Sequence, residues 1–264
     1  MLTEPATGSL HVETTGTGPP LVLLHGWAMH GGLFGPIVEA LSQRHRVHVV
    51  DLPGHGFSAP LRPWTLDRVV DVIEARFSAG AAVRVLGWSL GGAIAMRWAQ
   101  RAPARIERLV LVSATPKFVA AEDWPHALDA PTLNRFGDEL RVAFAQTLLR
   151  FLTLQTRGSS HAHAALAVLR RELASRGRPE RSVLDDALVV LRTLDLRESV
   201  RGITHPSLVV AGPRDTLVPP EASAWLARAL PNASLAVIDG AGHVPFISHR
   251  DAFLDATRAF LDDR

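Results

Sequence analysis

The chain contains no cysteine. No disulfide framework, thiol nucleophile or cysteine-ligated metal site can be built from it, and a reducing compartment suits it. Tyrosine is also absent, and Lys117 is the only lysine. Almost nothing titrates between histidine and arginine, so a formal net charge of only +2 is enough to carry the sequence pI to about 10.2. The average charge therefore makes no argument for nucleic acid. No apolar run approaches the ~20 residues of a membrane-spanning helix. Met1 to Gly8 lacks a basic stretch followed by an apolar one, so no secretory leader is expected. These absences predict a soluble, cytoplasmic protein, without a membrane or nucleic-acid partner.

What is present is apolar. The chain has 264 residues and 47% of them are hydrophobic. That is enough for one large core, with room for an inserted subdomain. Leu10–Thr15, Pro20–Leu24, Arg46–Asp51, Ala82–Leu86 and Ile106–Ser113 read as strands. Leu33–Gln43, Thr65–Phe77 and Gly91–Gln100 read as helices between them, with Thr65 as an N-cap. Strands that are continuous Val/Leu/Ile runs, alternating with helices, indicate a mostly parallel sheet covered on both faces. The alternation stops near Ala114. Lys117 to Leu196 has helical periodicity only, divided by Pro125, Pro131, Gly158, Gly177 and Pro179 into about four helices. The pattern then resumes with strand Ser207–Ala211, helix Pro220–Leu230, strand Ser234–Ile238 and helix Asp251–Leu261. The expected organisation is an α/β core in two parts, residues 1–116 and 197–264, interrupted by a helical lid at 117–196.

Charge is unevenly spread along this plan. Between Arg141 and Arg181 there are eight arginines against Glu172 and Glu180, whereas the remainder of the chain is mildly acidic. A basic segment on an acidic body points to an acidic partner. The opposing reading is a solvated face with local ion pairs.

The chemistry begins at Gly87-Trp88-Ser89-Leu90-Gly91-Gly92. Strand, Gly-x-Ser-x-Gly and helix in succession form the context of a nucleophile elbow, in which the serine is thrust out at the start of a helix. A serine needs a base, and the base needs an orienting group. His243, in a glycine-rich loop after the last predicted strand, is the candidate base. Asp215, just after strand Ser207–Ala211, is the candidate orienter. Their order, Ser then Asp then His, is that of α/β-hydrolases. The N–H groups of Leu90 and Trp27 are the candidate oxyanion donors. Asp51 reads as a strand-end turn residue, His55 as structural and Gly54-x-Gly56 as a turn. His161-x-His163 has no carboxylate beside it, so neither metal nor other cofactor is expected.

With these motifs in place the whole chain resembles the α/β-hydrolase fold. Within it, the chain is similar to the pimeloyl-acyl-carrier-protein methyl ester esterases of biotin synthesis. The resemblance rests on Leu23–Trp27, Asp51–Gly54, Gly87–Gly92, Arg150–Thr156 (Arg-Phe-Leu-Thr-Leu-Gln-Thr), Asp195–Arg197 and His243–His249. Beyond Thr156 the lid diverges, and Pro213 and Arg214 are not hallmarks of that family. The resemblance implies a serine carboxylesterase acting on a pimeloyl methyl ester carried by acyl carrier protein. It implies an acyl pocket of Trp27, Ser89, Leu90, Phe151, Leu152, Thr153, Leu154, Gln155 and His243, and a monomer. It also assigns the acidic partner to the carrier protein, with Arg150, Arg170 and Arg171 as contact candidates. Two alternatives stay open: a general carboxylesterase or lactonase for small free esters, and a small-molecule-binding protein on a hydrolase scaffold.

Overall fold

The computed structural model describes residues 9–262 apart from Arg178. Met1–Gly8, on which the expectation about a leader rests, and Arg178, one of the eight arginines of the basic segment, lie outside the described residues. Among the described residues seven strands form one sheet: β1 (Val12–Thr15), β2 (Pro20–Leu24), β3 (Arg46–Val50), β4 (Val83–Trp88), β5 (Ile106–Val112), β6 (Ser207–Ala211) and β7 (Ala233–Val237). Their order is β1-β3-β2-β4-β5-β6-β7. Only β1 runs antiparallel, against β3.

The apolar runs are apolar because both sheet faces are covered. Successive side chains of a strand point to opposite faces. Val22, Leu24, Val85, Leu109, Leu111 and Val209 pack into one core with α2 (Leu66–Phe77), α3 (Leu90–Arg101) and α8 (Pro220–Ala229). Leu21, Leu23, Leu86, Val110, Leu208 and Val210 pack into the other with α1 (Gly35–Ser42), α9 (Pro245–Ser248) and α10 (Arg250–Asp262). Each such side chain, fully buried, is worth roughly 1.5–3 kcal/mol of hydrophobic transfer. Thr65 caps α2, its hydroxyl accepting from the Arg68 N–H.

Between β5 and β6 lie four helices: α4 (Ala130–Val142), α5 (Phe144–Thr156), α6 (Ala162–Ser175) and α7 (Arg181–Thr193). Pro131 starts α4 rather than dividing helices. It follows the N-cap Asp129, whose carboxylate accepts from Thr132 N–H at 2.8 Å. The break between α4 and α5 falls at Ala143 (φ −133°, ψ 56°), with neither proline nor glycine to mark it.

The insertion leaves and re-enters the core side by side. Leu196 N–H donates to the Pro116 carbonyl at 2.9 Å, and Lys117 Nζ sits 2.9 Å from Asp195. Arg197 also grips Asp195 at 2.8 Å, and these cations hold that carboxyl below its usual range. Three further ties pin the helices to the core. Trp27 Nε1 donates to the Leu184 carbonyl (3.1 Å), His30 Nε2 to the Glu172 carbonyl (2.6 Å), and Arg176 pairs with buried Asp51 (3.2 Å). Asp51 also accepts from Gly31 and Phe57 N–H groups, so it organises loops and stands apart from the serine chemistry. Among the described residues no helix is long and apolar enough to cross a membrane.

Candidate active site

Ser89 sits between β4 and α3 with φ +56° and ψ −116°. That region is costly for a residue with a side chain, and surrounding structure must impose it. Ser89 N–H donates to the Val112 carbonyl (2.9 Å), and the Ser89 carbonyl accepts from Gly92 N–H (2.9 Å). The flanking glycines are needed for space. A Cβ on Gly87 would stand 2.4 Å from the Gly91 carbonyl oxygen, and one on Gly91 would stand 2.1 Å from that of Leu24.

The loops after β6 and β7 bring the other two residues to the serine. His243 Nε2 is 3.0 Å from Ser89 Oγ, and His243 Nδ1 is 2.8 Å from Asp215 Oδ2. Asp215 Oδ1 accepts from the N–H groups of Leu217 and Val218, each at 2.9 Å. With the carboxylate so placed, Nδ1 carries the proton and Nε2 is left to accept from the serine hydroxyl. Asp215 and His243 are 5% and 2% exposed, whereas Ser89 is partly open. His243 is held from several sides. Its N–H donates to the Gln155 carbonyl (3.2 Å), and its carbonyl accepts from Trp88 Nε1 (2.8 Å).

The loop after β2 lies against Ser89. A Cβ on Gly26 would sit 3.2 Å from Ser89 Cβ. His25 fixes this loop as a neutral imidazole. Its Nδ1 donates to the Gly26 carbonyl (2.8 Å), and its Nε2 accepts from Leu52 N–H (2.9 Å). Burial first, then neighbouring His55, keep it well below its ordinary pKa. His55 is itself buried and pushed down to about 4 by desolvation. Leu90 is the first residue of α3, so helix geometry leaves its N–H without an intrahelical acceptor.

Ser89 and His243 open into a cavity of about 240 Å³. Its walls are chiefly apolar: Trp27 from the core, Phe118, Leu133 and Phe136 from the insertion, and Val218 beside the acid. Trp27 packs edge-on against Phe136 and Phe151, with ring centroids 5.4 and 5.1 Å apart.

Of the five consecutive residues 151–155, the structure turns Phe151 and Leu154 to the cavity. Leu152 is buried in the core with α9 and α10, and Thr153 is exposed, its hydroxyl donating to the Leu149 carbonyl. Gln155 is buried and meets His243 through its backbone. Helix geometry separates them, since neighbours along α5 point about 100° apart. The Leu90 side chain is likewise buried in the core, leaving only its backbone beside Ser89. Phe118, Leu133 and Phe136 were not among the sequence candidates. The i, i+3 spacing of Leu133 and Phe136 marked an apolar face without saying what it covers.

The three arginines expected to meet a partner stand on the insertion. Arg150 is exposed and pairs with Glu139 (3.1 Å), and exposed Arg171 pairs with Glu172 (3.1 Å). Arg170 is exposed on α6. His161 faces His249, their nitrogens 3.3 Å apart. Among the described residues no group of three or more His, Asp or Glu is placed to hold a metal ion.

A seven-stranded, mostly parallel sheet with a serine at its elbow defines a hydrolase of the α/β class. The family model for the alpha/beta hydrolase fold matches residues 19–250. An esterase from Exiguobacterium antarcticum superposes with a TM-score of 0.88 at 21% identity, covering 96% of each chain; at that identity the likeness is one of fold. Curated relatives are nearer in sequence. A pimeloyl-[acyl-carrier protein] methyl ester esterase from Xanthomonas campestris is 44% identical over 253 residues, 96% of this chain and 98% of its own. One from Nitrosomonas europaea is 44% identical over 246 residues, 93% of this chain and 97% of its own. The chain belongs to the α/β-hydrolase family and, within it, to the family of these methyl ester esterases.

Proposed function

We propose that the chain is a serine esterase that hydrolyses the methyl ester of a pimeloyl group carried by acyl carrier protein. The observation that carries this reading is the continuous hydrogen-bonded line Asp215–His243–Ser89, ending at an apolar cavity. Ser89 Oγ attacks the ester carbonyl as its proton passes to His243 Nε2. The developing oxyanion is met by the N–H groups of Leu90 and Trp27. The bond to the methoxy oxygen breaks, and His243 gives its proton to departing methanol. Water, deprotonated by His243, then attacks the acyl-serine; the carbon–Oγ bond breaks and Ser89 regains its proton. The net change is ester and water to carboxylic acid and methanol. Asp215 keeps the imidazole in the required tautomer and steadies it when charged.

The acyl chain lies along Trp27, Phe151 and Leu154, with α4–α7 as a lid. Leu152, buried in the core, and Gln155, whose carbonyl holds His243, anchor that segment, while Thr153 faces solvent. The carrier protein docks on the basic lid face, with Arg150, Arg170 and Arg171 in contact. On this reading the enzyme works as a monomer in the cytoplasm. The apolar walls of the cavity would equally suit small free esters, so the carrier requires its own test.

The test reverses the three arginines to glutamate in one variant. Salt-screened steering of an acidic partner then fails, and hydrolysis of the carrier-bound ester should fall at least tenfold. A p-nitrophenyl ester needs no such encounter. A loss of the same size on both substrates, or on neither, would contradict the docking face.

A further inference from the structure

Among the described residues lining the cavity beside Ser89 the one arginine is Arg157, which is exposed and caps the end of α5. Among the described residues its guanidinium has no carboxylate within ion-pair distance and no hydrogen-bond acceptor. Of the other insertion arginines, Arg141, Arg150, Arg171 and Arg176 each have an acid beside them, whereas Arg170, away from the cavity, has none among the described residues. A second exposed arginine stands against Gly158, the residue after Arg157. Arg214, from the acid loop, donates through Nη1 to the Gly158 carbonyl at 3.0 Å. A Cβ on Gly158 would lie 3.2 Å from Arg214 Cβ. Arg214 also has no carboxylate partner among the described residues. Two exposed arginines without acids thus flank Gly158, where α5 ends against the loop that carries Asp215.

An exposed, unpaired arginine at the edge of an apolar cavity is a recognition element in search of an anion. Its planar fork matches carboxylate and phosphate alike. We propose that Arg157, with Arg214 behind it, forms an anion subsite for the charged group that a substrate carries at the far end of its chain from the scissile ester. The subsite rests on the reading of Ser89 as the nucleophile. It selects esters with an apolar spacer and an anionic far end. The anion is either the carboxylate of a free half-ester of a dicarboxylic acid or the phosphate of a carrier's prosthetic arm.

The full chain and its Arg157→Gln variant test this with matched substrate pairs. Monomethyl pimelate against dimethyl pimelate differs by the carboxylate. Methyl pimeloyl phosphopantetheine against the pantetheine thioester differs by the phosphate. The expected result is a fall of about tenfold in the anionic-to-neutral ratio of kcat/KM for one pair, carried by KM. Arg157→Lys should restore part of it. The pair that responds names the source of the anion. The same ratio measured as Kd in the Ser89→Ala protein, for monomethyl and dimethyl pimelate and for the two thioesters, reads the subsite without turnover. A failed esterase reading therefore shows as absent turnover by the unmodified chain, while a failed subsite shows as unchanged binding ratios. Ratios unaltered in both pairs, or equal losses on charged and neutral partners, would overturn the proposal.

Discussion

Replacing Asp215 by asparagine alters few atoms and should remove nearly all activity. Asp215 Oδ1 accepts two backbone N–H groups, from Leu217 and Val218, and Oδ2 faces His243 Nδ1 at 2.8 Å. Asparagine has one acceptor oxygen. Two donors hold it at the Oδ1 position, so its NH₂ must point at Nδ1. A donor facing a donor forces the imidazole proton onto Nε2, the atom 3.0 Å from Ser89 Oγ. The base can then no longer accept the serine proton. By analogy with other serine triads the loss in kcat is about 10⁴-fold, while the loop keeps both backbone hydrogen bonds. The assay is initial rates on p-nitrophenyl butyrate beside a thermal melt. A folded Asp215→Asn protein within tenfold of the parent rate would refute this account of how His243 is oriented.

Two further predictions follow from the packing. In Gly91→Ala the new methyl meets the Leu24 carbonyl at 2.1 Å, a backbone atom that cannot rotate away. It should destabilise by roughly 1–3 kcal/mol and displace Ser89; a parent-like melt and rate would show the elbow to be roomier than described. Acid stability should also bear the mark of the buried histidines. His55 is pushed down to about 4 in the folded chain, and unfolded imidazole titrates near ~6.5. Between those values the unfolded state binds more protons, so stability falls as pH drops below about 6.5 and levels off from this source below about 4. For His55 that is about 3 kcal/mol, with buried His25 acting in the same direction. Urea unfolding at pH 7.5 and 4.5 should show a smaller acid loss in His55→Asn than in the parent; equal losses would contradict the assignment.

The core strands were legible because parallel strands buried on both faces must be apolar at every position. Pro20–Leu24 and residues 208–211 meet that condition, and the observed limits of strands Pro20–Leu24 and Ser207–Ala211 coincide with those read from the sequence. The elbow was legible because its backbone tolerates only small neighbours at Gly87 and Gly91. Ser89, Asp215 and His243 could be named in order, but the distances that join them come from three loops meeting in space. The insertion was less legible. The break at Ala143 lies in the chain's dihedral angles, with no turn residue to announce it. Arg-Phe-Leu-Thr-Leu-Gln-Thr reads as one motif, yet a helix sends its members in different directions: Phe151 to the cavity, Leu152 to the core, Thr153 to solvent. Arg157 counted in the basic segment, but nothing in the sequence set it beside the cavity, because an arginine near a cavity and one far from it are the same letter.

The central claim is that Ser89 cleaves a methyl ester on a carrier-bound pimeloyl chain. Its most direct measurement is the intact mass of methyl pimeloyl-acyl carrier protein after incubation with the enzyme. The account predicts loss of the mass of one methylene, as methyl ester becomes acid, at a rate at least ~10³-fold slower with folded Ser89→Ala. An unchanged mass with the parent enzyme, or conversion at a similar rate by Ser89→Ala, would contradict it.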